Sequence, residues 1–299
     1  MNRYAQVYAQ ITSNVEVMPG THLMWIEAPD IARAARPGQF ITINCQGLPL
    51  RRPFSIHQAR QSHVPRQING GVDNNRPPSE IAVLFKVVGK GTLWLSQRRK
   101  GDRIDVLGPL GNGFTIVPSA ENLLLVAGGI GIAPLVFLAQ YASSQHSISL
   151  VHGASSATEL YPLMKANVIA SEAKQSQEGI RFIPVTEDGT AGEKGMITDL
   201  LPHFLDWADQ VFACGPVDMY KAMALTLNPS PVKGEEKGEG AERSGLKIKK
   251  CQVSLEVRMG CGIGACYGCT INTKKGLRKV CRDGPVFELD DVLWQDVTI

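Results

Sequence analysis

The chain has 299 residues, of which 43% are hydrophobic and 20% are charged, and its formal net charge is +3 at pH 7. This length predicts two or three domains, and the ordinary apolar fraction excludes a wholly disordered chain. Because the positive and negative charges nearly balance, the composition does not indicate a nucleic-acid-binding protein.

Two stretches bear on the location of the protein. The first 14 residues are polar and lack the apolar core of a signal peptide. The longest apolar run, residues 123–139, is interrupted by three glycines and a proline and is slightly too short to span a membrane. We therefore expect a cytoplasmic protein that does not enter a membrane. In that reducing compartment, clustered cysteines bind metal more often than they form disulfides.

The N-terminal region, residues 1–114, predicts short strands that are broken by turns. The pattern is clearest in the stretches QVYAQITSNVEVM, QFITINC and IAVLFKVV, and no long helical period interrupts them. Many short strands of this kind favour an antiparallel barrel or sandwich. We expect one domain of that class here.

Two short motifs in this region suit a flavin nucleotide. In Arg52-Pro-Phe-Ser55, the arginine can clamp a phosphate, while the aromatic ring and the hydroxyl can contact a flavin ring. A surface arginine is the ordinary alternative. Gly91 and Thr92 follow the strand that contains Leu84 to Lys86, and they can offer backbone amides to a pyrophosphate if a helix begins at Leu93.

The second region, residues 115–227, predicts an α/β domain. LLLVAG, SISLVHG and QVFACGP are continuous apolar runs, as parallel strands buried on both faces require, and a helical stretch begins near Pro134. The alternation indicates βαβ units around a parallel sheet.

Two turns at the ends of these strands predict a dinucleotide site. Gly128, Gly129 and Gly131 stand between a buried strand and a helix, which is the context that such a site requires. Pro134 stands where a Rossmann fingerprint has its third glycine, so the standard binding mode is not expected. Cys214-Gly-Pro closes another strand at the same sheet edge, where Cys214 either contacts a nicotinamide or is a buried thiol.

The C-terminal region, residues 250–299, concentrates the cysteines. Cys261, Cys266, Cys269 and Cys281 have the spacing C-x4-C-x2-C…C, which is typical of plant-type 2Fe–2S sites. Glycines at 260, 262, 264 and 268 let the loop approach the cluster closely. A zinc site or unliganded cysteines are the alternatives, although zinc ribbons favour two C-x2-C pairs. Cys251 and Cys45 fall outside the spacing and are interpreted as core residues.

Three polar segments are interpreted as insertions. They are residues 60–80, 168–179 and 228–245, the last within a low-complexity linker over 228–249. No hydrolytic machinery competes with the redox interpretation, because the six histidines are scattered and no G-x-S-x-G motif occurs. His57 and His152 are interpreted as structural.

Taken in order, RPFS, the GxGT turn, GGIGIAP, CGP and the cysteine block resemble the ferredoxin–NADP reductase superfamily with an appended iron–sulfur domain. More narrowly, VSLEVRMGCGIGACYGC and VCRDGPVFELDDV resemble the electron-transfer subunits of NAD-dependent (class 1B) dihydroorotate dehydrogenases. The resemblance implies an FAD-binding β-barrel, an α/β NAD-binding domain and a small 2Fe–2S domain. It further implies docking on a TIM-barrel subunit that carries FMN and oxidises dihydroorotate, in a heterotetramer of two of each subunit.

The resemblance also implies the site residues. Electrons would pass singly through the 2Fe–2S cluster to FAD, which would give a hydride to NAD⁺. No acid–base residue is expected in this chain, because the proton abstraction would belong to the partner. The loop HGASS, which begins at His152, has no basic residue to meet a 2′-phosphate and favours NAD over NADP. The implied FAD residues are Arg52, Pro53, Phe54, Ser55, Leu84, Phe85, Lys86, Gly91 and Thr92, the expected NAD residues are Gly128, Gly129, Gly131, Pro134, Cys214, Gly215 and Pro216, and the implied cluster ligands are Cys261, Cys266, Cys269 and Cys281.

Two other functions share parts of this pattern. A related reductase module that oxidises NAD(P)H and feeds a different redox partner would have the same domain order. A non-catalytic protein with zinc at its C-terminus would purify colourless, whereas the favoured function requires flavin bands and iron–sulfur absorption.

Overall fold

The computed structural model describes residues 4–60, 79–162, 180–227 and 250–297. It contains a closed six-stranded barrel, a seven-stranded sheet and a two-stranded hairpin. The predicted order of an antiparallel barrel, a parallel α/β domain and a small C-terminal domain is confirmed. The predicted insertions at 168–179 and 228–245, the linker at 228–249 and nearly all of 60–80 lie outside the described residues.

The barrel is formed by the N-terminal strands, and every neighbouring pair runs antiparallel in the order β1-β2-β5-β4-β3-β6. Alternate side chains point inward, so Ile11, Ile43 and Val106 are fully buried in its core. Its strands are β1 (Ala5–Met18), β2 (Thr21–Glu27), β3 (Phe40–Asn44), β4 (Arg52–Arg60), β5 (Glu80–Lys86) and β6 (Arg103–Leu110), with the short helices α1 (Pro29–Ala34) and α2 (Lys90–Ser96) between them.

The α/β sheet has the order β10-β9-β8-β7-β11-β12, with all of these neighbours parallel. Leu124, Val126 and Val211 are buried because helices or the barrel cover both faces of the central strands. The strands are β7 (Asn122–Gly128), β8 (Ser147–Ala154), β9 (Ile180–Thr186), β10 (Glu193–Lys194), β11 (Gln210–Cys214) and β12 (Lys250–Ser254), and the helices are α3 (Ile132–Ala142), α4 (Ile197–Leu200), α5 (Pro202–Leu205) and α6 (Val217–Leu227).

The C-terminal segment contains the hairpin β13 (Thr270–Thr273) and β14 (Gly276–Lys279), the helical turn α7 (Val280–Asp283) and the strand β15 (Val286–Glu288). β15 pairs antiparallel with β12 and completes the seven-stranded sheet. The C-terminal segment is therefore joined to the α/β sheet by hydrogen bonds.

One strand connects the C-terminal region to the α/β sheet. Lys250–Ser254, which the sequence places in the C-terminal domain, pairs in parallel with β11 from Gln210 to Ala213. Cys251 and Val253 are buried there, in a core cluster that also contains Tyr220 and Trp294, so this strand removes apolar surface from water. Within the described residues, the sheet thus continues beyond residue 227.

The helix α3 joins the barrel to the sheet. It packs against β4 of the barrel and β7 of the sheet, and Phe137 belongs to the barrel core. The glycine turn that precedes α3 is thereby held at the junction of the two parts. Within the part of the chain that the structure describes, no helix has the length and apolar character needed to cross a membrane.

Candidate functional site

A cleft of about 400 Å³ lies between the end of the barrel and the edge of the sheet. Phe54 and Phe85 meet there edge to face, with ring centroids 5.7 Å apart. Its walls are mainly apolar, with the polar side chains of Ser55 and Lys86 at the surface. Such a cleft fits the ring system of a flavin. The predicted residues that line it are Pro53, Phe54, Ser55, Leu84, Phe85, Lys86 and Thr92.

Two other predicted flavin residues lie beside this cleft. Arg52 packs against the start of α2, where a Cβ on Gly91 would lie 3.0 Å from its side chain. The Thr92 hydroxyl accepts hydrogen bonds from the backbone N–H groups of Val88 and Gly89, at 2.9 and 3.1 Å. The arginine and the α2 turn are therefore adjacent, as a phosphate clamp requires.

The predicted nucleotide turns pack against each other at the carboxyl edge of the sheet. A Cβ on Gly131 would lie 2.1 Å from the carbonyl oxygen of Cys214, and a Cβ on Gly215 would lie 3.1 Å from the Cα of Gly128. Pro134 is buried in the first turn of α3. Only glycine allows this close approach of the two turns.

Cys214 is fully buried, with no exposed surface. Burial raises the pKa of its thiol well above the usual value, and the nearby Glu256 raises it further. This environment supports the buried-thiol interpretation of Cys214 over direct contact with a nicotinamide.

A second cleft, of about 440 Å³, opens at the glycine turn. Gly128, Gly129 and Pro216 line it, and its ionisable side chains are all acidic: Glu159, Glu187 and Asp218. The hydroxyl of Ser155 donates to Glu187 Oε1 at 3.4 Å. Lys86 pairs with Glu159 at 2.9 Å, and Lys221 pairs with Asp218 at 3.6 Å. Among the described residues Glu187 has no lysine partner and can accept a ribose hydroxyl, which is the contact that favours NAD over NADP.

Sequence reasoning missed Glu256, which lines the first cleft, beside Phe54 and Phe85. Its side chain opens into the cleft, but the surrounding walls exclude enough water to raise the pKa of its carboxyl. It also interacts electrostatically with Cys214 and Tyr220. The one available signal was a single acidic residue inside the apolar run VSLEV.

Sequence reasoning also missed Tyr220, which is almost completely buried in α6. Its hydroxyl donates to the carbonyl oxygen of Ser254 at 2.7 Å and accepts the N–H of Gly215 at 2.9 Å. Its ring stacks on Trp294. One side chain thus ties the CGP turn to β12 and to the C-terminal segment.

The cysteine loop brings the four predicted ligands together as two pairs. The Cys261 sulfur accepts hydrogen bonds from the backbone N–H groups of Ala265 and Cys266, at 3.2 and 3.4 Å. Cys281 donates its backbone N–H to the Cys269 sulfur at 3.4 Å. A binuclear cluster takes two thiolates on each iron, so this pairing fits it. Among the described residues, no three His, Cys, Asp or Glu side chains converge as ligands of a single ion.

The two pairs differ in electrostatics. Burial works to raise the pKa of Cys261, but hydrogen bonds from the backbone N–H groups of Ile263 and Cys266 outweigh it and lower that pKa to about 6. Burial, together with the neighbouring Cys269, raises the pKa of Cys281 to about 12. Cys45 and Cys251 are buried elsewhere, as expected.

The cysteine loop and the first cleft, which is named the flavin cleft below, share one continuous segment. Leu255 to Met259 line the cleft, and Cys261 follows directly after Gly260. The next residue, Gly262, approaches the barrel so closely that a Cβ there would lie 2.9 Å from Thr42 Cγ2. The cysteine loop is thus held at the barrel, beside the cleft.

Two family models match this chain. Residues 256–293 match the iron–sulfur cluster binding domain of dihydroorotate dehydrogenase B. Residues 125–224 match the oxidoreductase NAD-binding domain. The two matches cover the cysteine loop and most of the α/β sheet.

Curated relatives match the chain over nearly its whole length. A protein of Desulforamulus reducens named dihydroorotate dehydrogenase B (NAD(+)), electron transfer subunit, is 35% identical over 297 residues, which is 96% of this chain and 98% of the relative. The protein of the same name from Caldanaerobacter subterraneus is 33% identical over 292 residues, with the same two shares.

Solved structures share the fold. The structure of an NADH-dependent reduced ferredoxin–NADP oxidoreductase has a TM-score of 0.74 and 27% identity, and the match covers 97% of this chain and 91% of that one. A ferredoxin NADP⁺ reductase from Neisseria gonorrhoeae, solved with FAD and NADP, has a TM-score of 0.56 and 19% identity over 76% of this chain and 91% of that one. The second likeness concerns the fold alone.

Proposed function

The chain belongs to the family of electron transfer subunits of dihydroorotate dehydrogenase B, and on that premise we propose that it carries electrons from a catalytic subunit to NAD⁺. It is an oxidoreductase subunit, and its cofactors are FAD, a 2Fe–2S cluster and NAD. When bound, the flavin supplies the exchange between single electrons and the hydride that nicotinamide accepts. The pathway served is pyrimidine biosynthesis.

The observation that carries this proposal is the continuity of the segment from Leu255 to Cys261. One stretch of backbone lines the flavin cleft, bears Glu256, whose side chain opens into that cleft, and enters the cysteine loop. A protein that joins a one-electron centre to a flavin needs both groups on the same rigid support, because electron transfer depends on a short, constant distance.

The residues for FAD follow from the first cleft. In this proposal Phe54 and Phe85 shape the wall for the ring system, and Ser55 and Lys86 supply hydrogen-bond donors. Arg52 and the turn at Gly91 and Thr92 hold the phosphates. Pro53 and Leu84 complete the wall of the cleft. Their adjacency across β4, β5 and α2 supports the assignment.

The residues for NAD follow from the second cleft. Gly128, Gly129 and Pro216 line it, while Gly131 and Gly215 allow the two turns to pack closely. Pro134 lies in the first turn of α3, and the backbone of the buried Cys214 packs against Gly131. In this proposal Glu187 accepts a ribose hydroxyl and favours NAD.

The proposed partner is the FMN-containing catalytic subunit that oxidises dihydroorotate, in a heterotetramer of two of each subunit. The relatives are named as electron transfer subunits, and such a subunit requires a catalytic subunit to supply its electrons. Among the proposed cluster ligands Cys266 is the exposed one, so the loop is open on the side where a donor must approach.

Co-expression with a candidate FMN subunit tests the proposal. We expect the two chains to purify together and to reduce NAD⁺ when dihydroorotate is added, whereas this chain alone should oxidise NADH with an artificial acceptor but not oxidise dihydroorotate. NADH oxidation that drives reduction of a ferredoxin, without any dihydroorotate activity in the complex, would instead favour the reductase module, which the 27% identical structure makes the second candidate. A colourless chain with bound zinc would contradict both.

A further inference from the structure

Lys279 is the last residue of the hairpin strand β14 and lies two residues before Cys281. Its ammonium group donates a hydrogen bond to the carbonyl oxygen of Gly264 at 2.9 Å. It also lies 4.2 Å from the centroid of the Tyr267 ring, which is a cation–π contact. A charged side chain of the hairpin is thus bound inside the cysteine loop.

The peptide unit that this ammonium contacts reaches a proposed cluster ligand on its other side. The carbonyl oxygen of Gly264 and the N–H of Ala265 belong to one peptide group, and that N–H donates to the Cys261 sulfur at 3.2 Å. An ammonium on the oxygen polarises the group and makes its N–H a stronger donor. The charge of Lys279 is therefore relayed to Cys261 through one amide.

The backbone at Gly264 has a conformation that favours glycine. Its φ is +85°, a region that L side chains rarely adopt. The carbonyl oxygen that accepts the hydrogen bond from Lys279 is therefore held in place by a residue type that suits this turn.

We propose that Lys279 is a positioning residue that raises the reduction potential of the 2Fe–2S cluster. This inference rests on the proposed function, because it requires the cluster. Reduction adds one negative charge to a group that is already anionic, and stronger N–H···S bonds and a nearby cation stabilise the reduced form more than the oxidised form. A higher potential makes the cluster a better acceptor from the partner subunit.

The test is a redox titration of the full chain, followed by electron paramagnetic resonance and visible absorption, with iron and sulfide measured first. We expect Lys279→Met and Lys279→Gln to bind the cluster and to titrate at a more negative potential than the unmodified chain. Lys279→Arg should have a potential close to that of the unmodified chain, because it keeps a cation that can donate to Gly264. Lys274→Met is the matched control: it removes the same charge from an exposed position in the hairpin turn, and its potential should equal that of the unmodified chain.

The outcomes separate this inference from the proposed function. Unmodified chain without iron and sulfide would overturn both. A normal cluster in Lys279→Gln at the unmodified potential would overturn the role of Lys279 alone, even if Lys279→Met failed to bind a cluster. An equal shift in Lys274→Met would also overturn it, because net charge and not the contact with Gly264 would then set the potential.

Discussion

His57 Nε2 lies 3.0 Å from the hydroxyl oxygen of Tyr161, and this hydrogen bond joins strand β4 of the barrel to the segment that follows β8 of the sheet. The other ring nitrogen, Nδ1, lies 2.8 Å from the carbonyl oxygen of Ala133 in α3. Tyr161 in turn donates its backbone N–H to His152, whose Nε2 contacts the Gly129 carbonyl oxygen. Two neutral histidines thus tie the glycine turn to the barrel.

We expect acid to weaken this connection. Burial lowers the pKa of both His57 and His152 to about 4, against 6.5 for an exposed imidazole. Between about pH 4 and pH 6.5 the unfolded chain therefore binds more protons than the native chain. The stabilisation that the two neutral histidines give the native state is complete above about pH 6.5. It is lost as the pH falls toward 4, by up to about 1.4 kcal/mol per pH unit for each histidine.

Urea unfolding at pH 7, 6 and 5 measures this dependence. His152→Gln should flatten the fall in the free energy of unfolding between pH 6 and 5, while His203→Gln, at an exposed position, should leave it unchanged. Identical slopes for all three chains would contradict the assignment of the acid sensitivity to this network.

The glycines of the nucleotide turn serve two different purposes, and alanine should separate them. Gly131 has φ −60°, which any residue adopts, but its Cβ would lie 2.1 Å from the Cys214 carbonyl oxygen. Gly129 has φ +52° and open space around it. Gly131→Ala should therefore cost about 1–3 kcal/mol through overpacking and displace the CGP turn.

Gly129→Ala provides the comparison. It should cost about 1–2 kcal/mol from the backbone conformation alone and leave the packing of the two turns intact. Thermal unfolding gives the stabilities, and NADH titration gives the affinities. The KM for NADH should rise in Gly131→Ala well above that in Gly129→Ala, and the reverse order would refute the close-approach argument.

The cysteine assignment is tested by substitution inside and outside the spacing. Cys269→Ser should remove most of the visible cluster absorption, because oxygen is a poor substitute for a thiolate on iron. Cys251→Ala alters a buried thiol of β12 and should keep that absorption, with a loss of stability of about 1 kcal/mol at most. Full absorption in Cys269→Ser would show that the ligand assignment is wrong.

Much of this site is readable from sequence because its residues are close along the chain. The cysteine spacing, the glycine turn and the RPFS stretch each belong to one loop or strand end, so local pattern suffices. The pairing of β12 with β11 was not predicted, because a strand's partners are chosen by long-range packing, here between segments that residues 228–249 separate in the sequence. Glu256 was missed for the same reason: its surroundings come from Cys214, Tyr220 and the barrel.

Glu256→Gln tests the part of the site that sequence did not reveal. The carboxyl lies in the flavin cleft near the CGP turn, where a hydrogen bond to the nicotinamide or the flavin would align the two rings for hydride transfer. The glutamine keeps the shape but removes the charge and the titratable proton. We expect kcat for NADH-dependent reduction of an artificial acceptor to fall by up to about 100-fold, because the two rings lose alignment.

The supporting measurements are flavin content and the pH profile. Flavin content should be unchanged, because the amide fills the same volume. Burial raises the pKa of the Glu256 carboxyl. The activity of the unmodified chain should therefore change at a pH above the range in which an ordinary glutamate titrates, and this pH-dependent limb should be absent from the variant. Glu193→Gln, an exposed substitution on β10, should keep both kcat and the limb, and an unchanged kcat in Glu256→Gln would remove this residue from the proposed site.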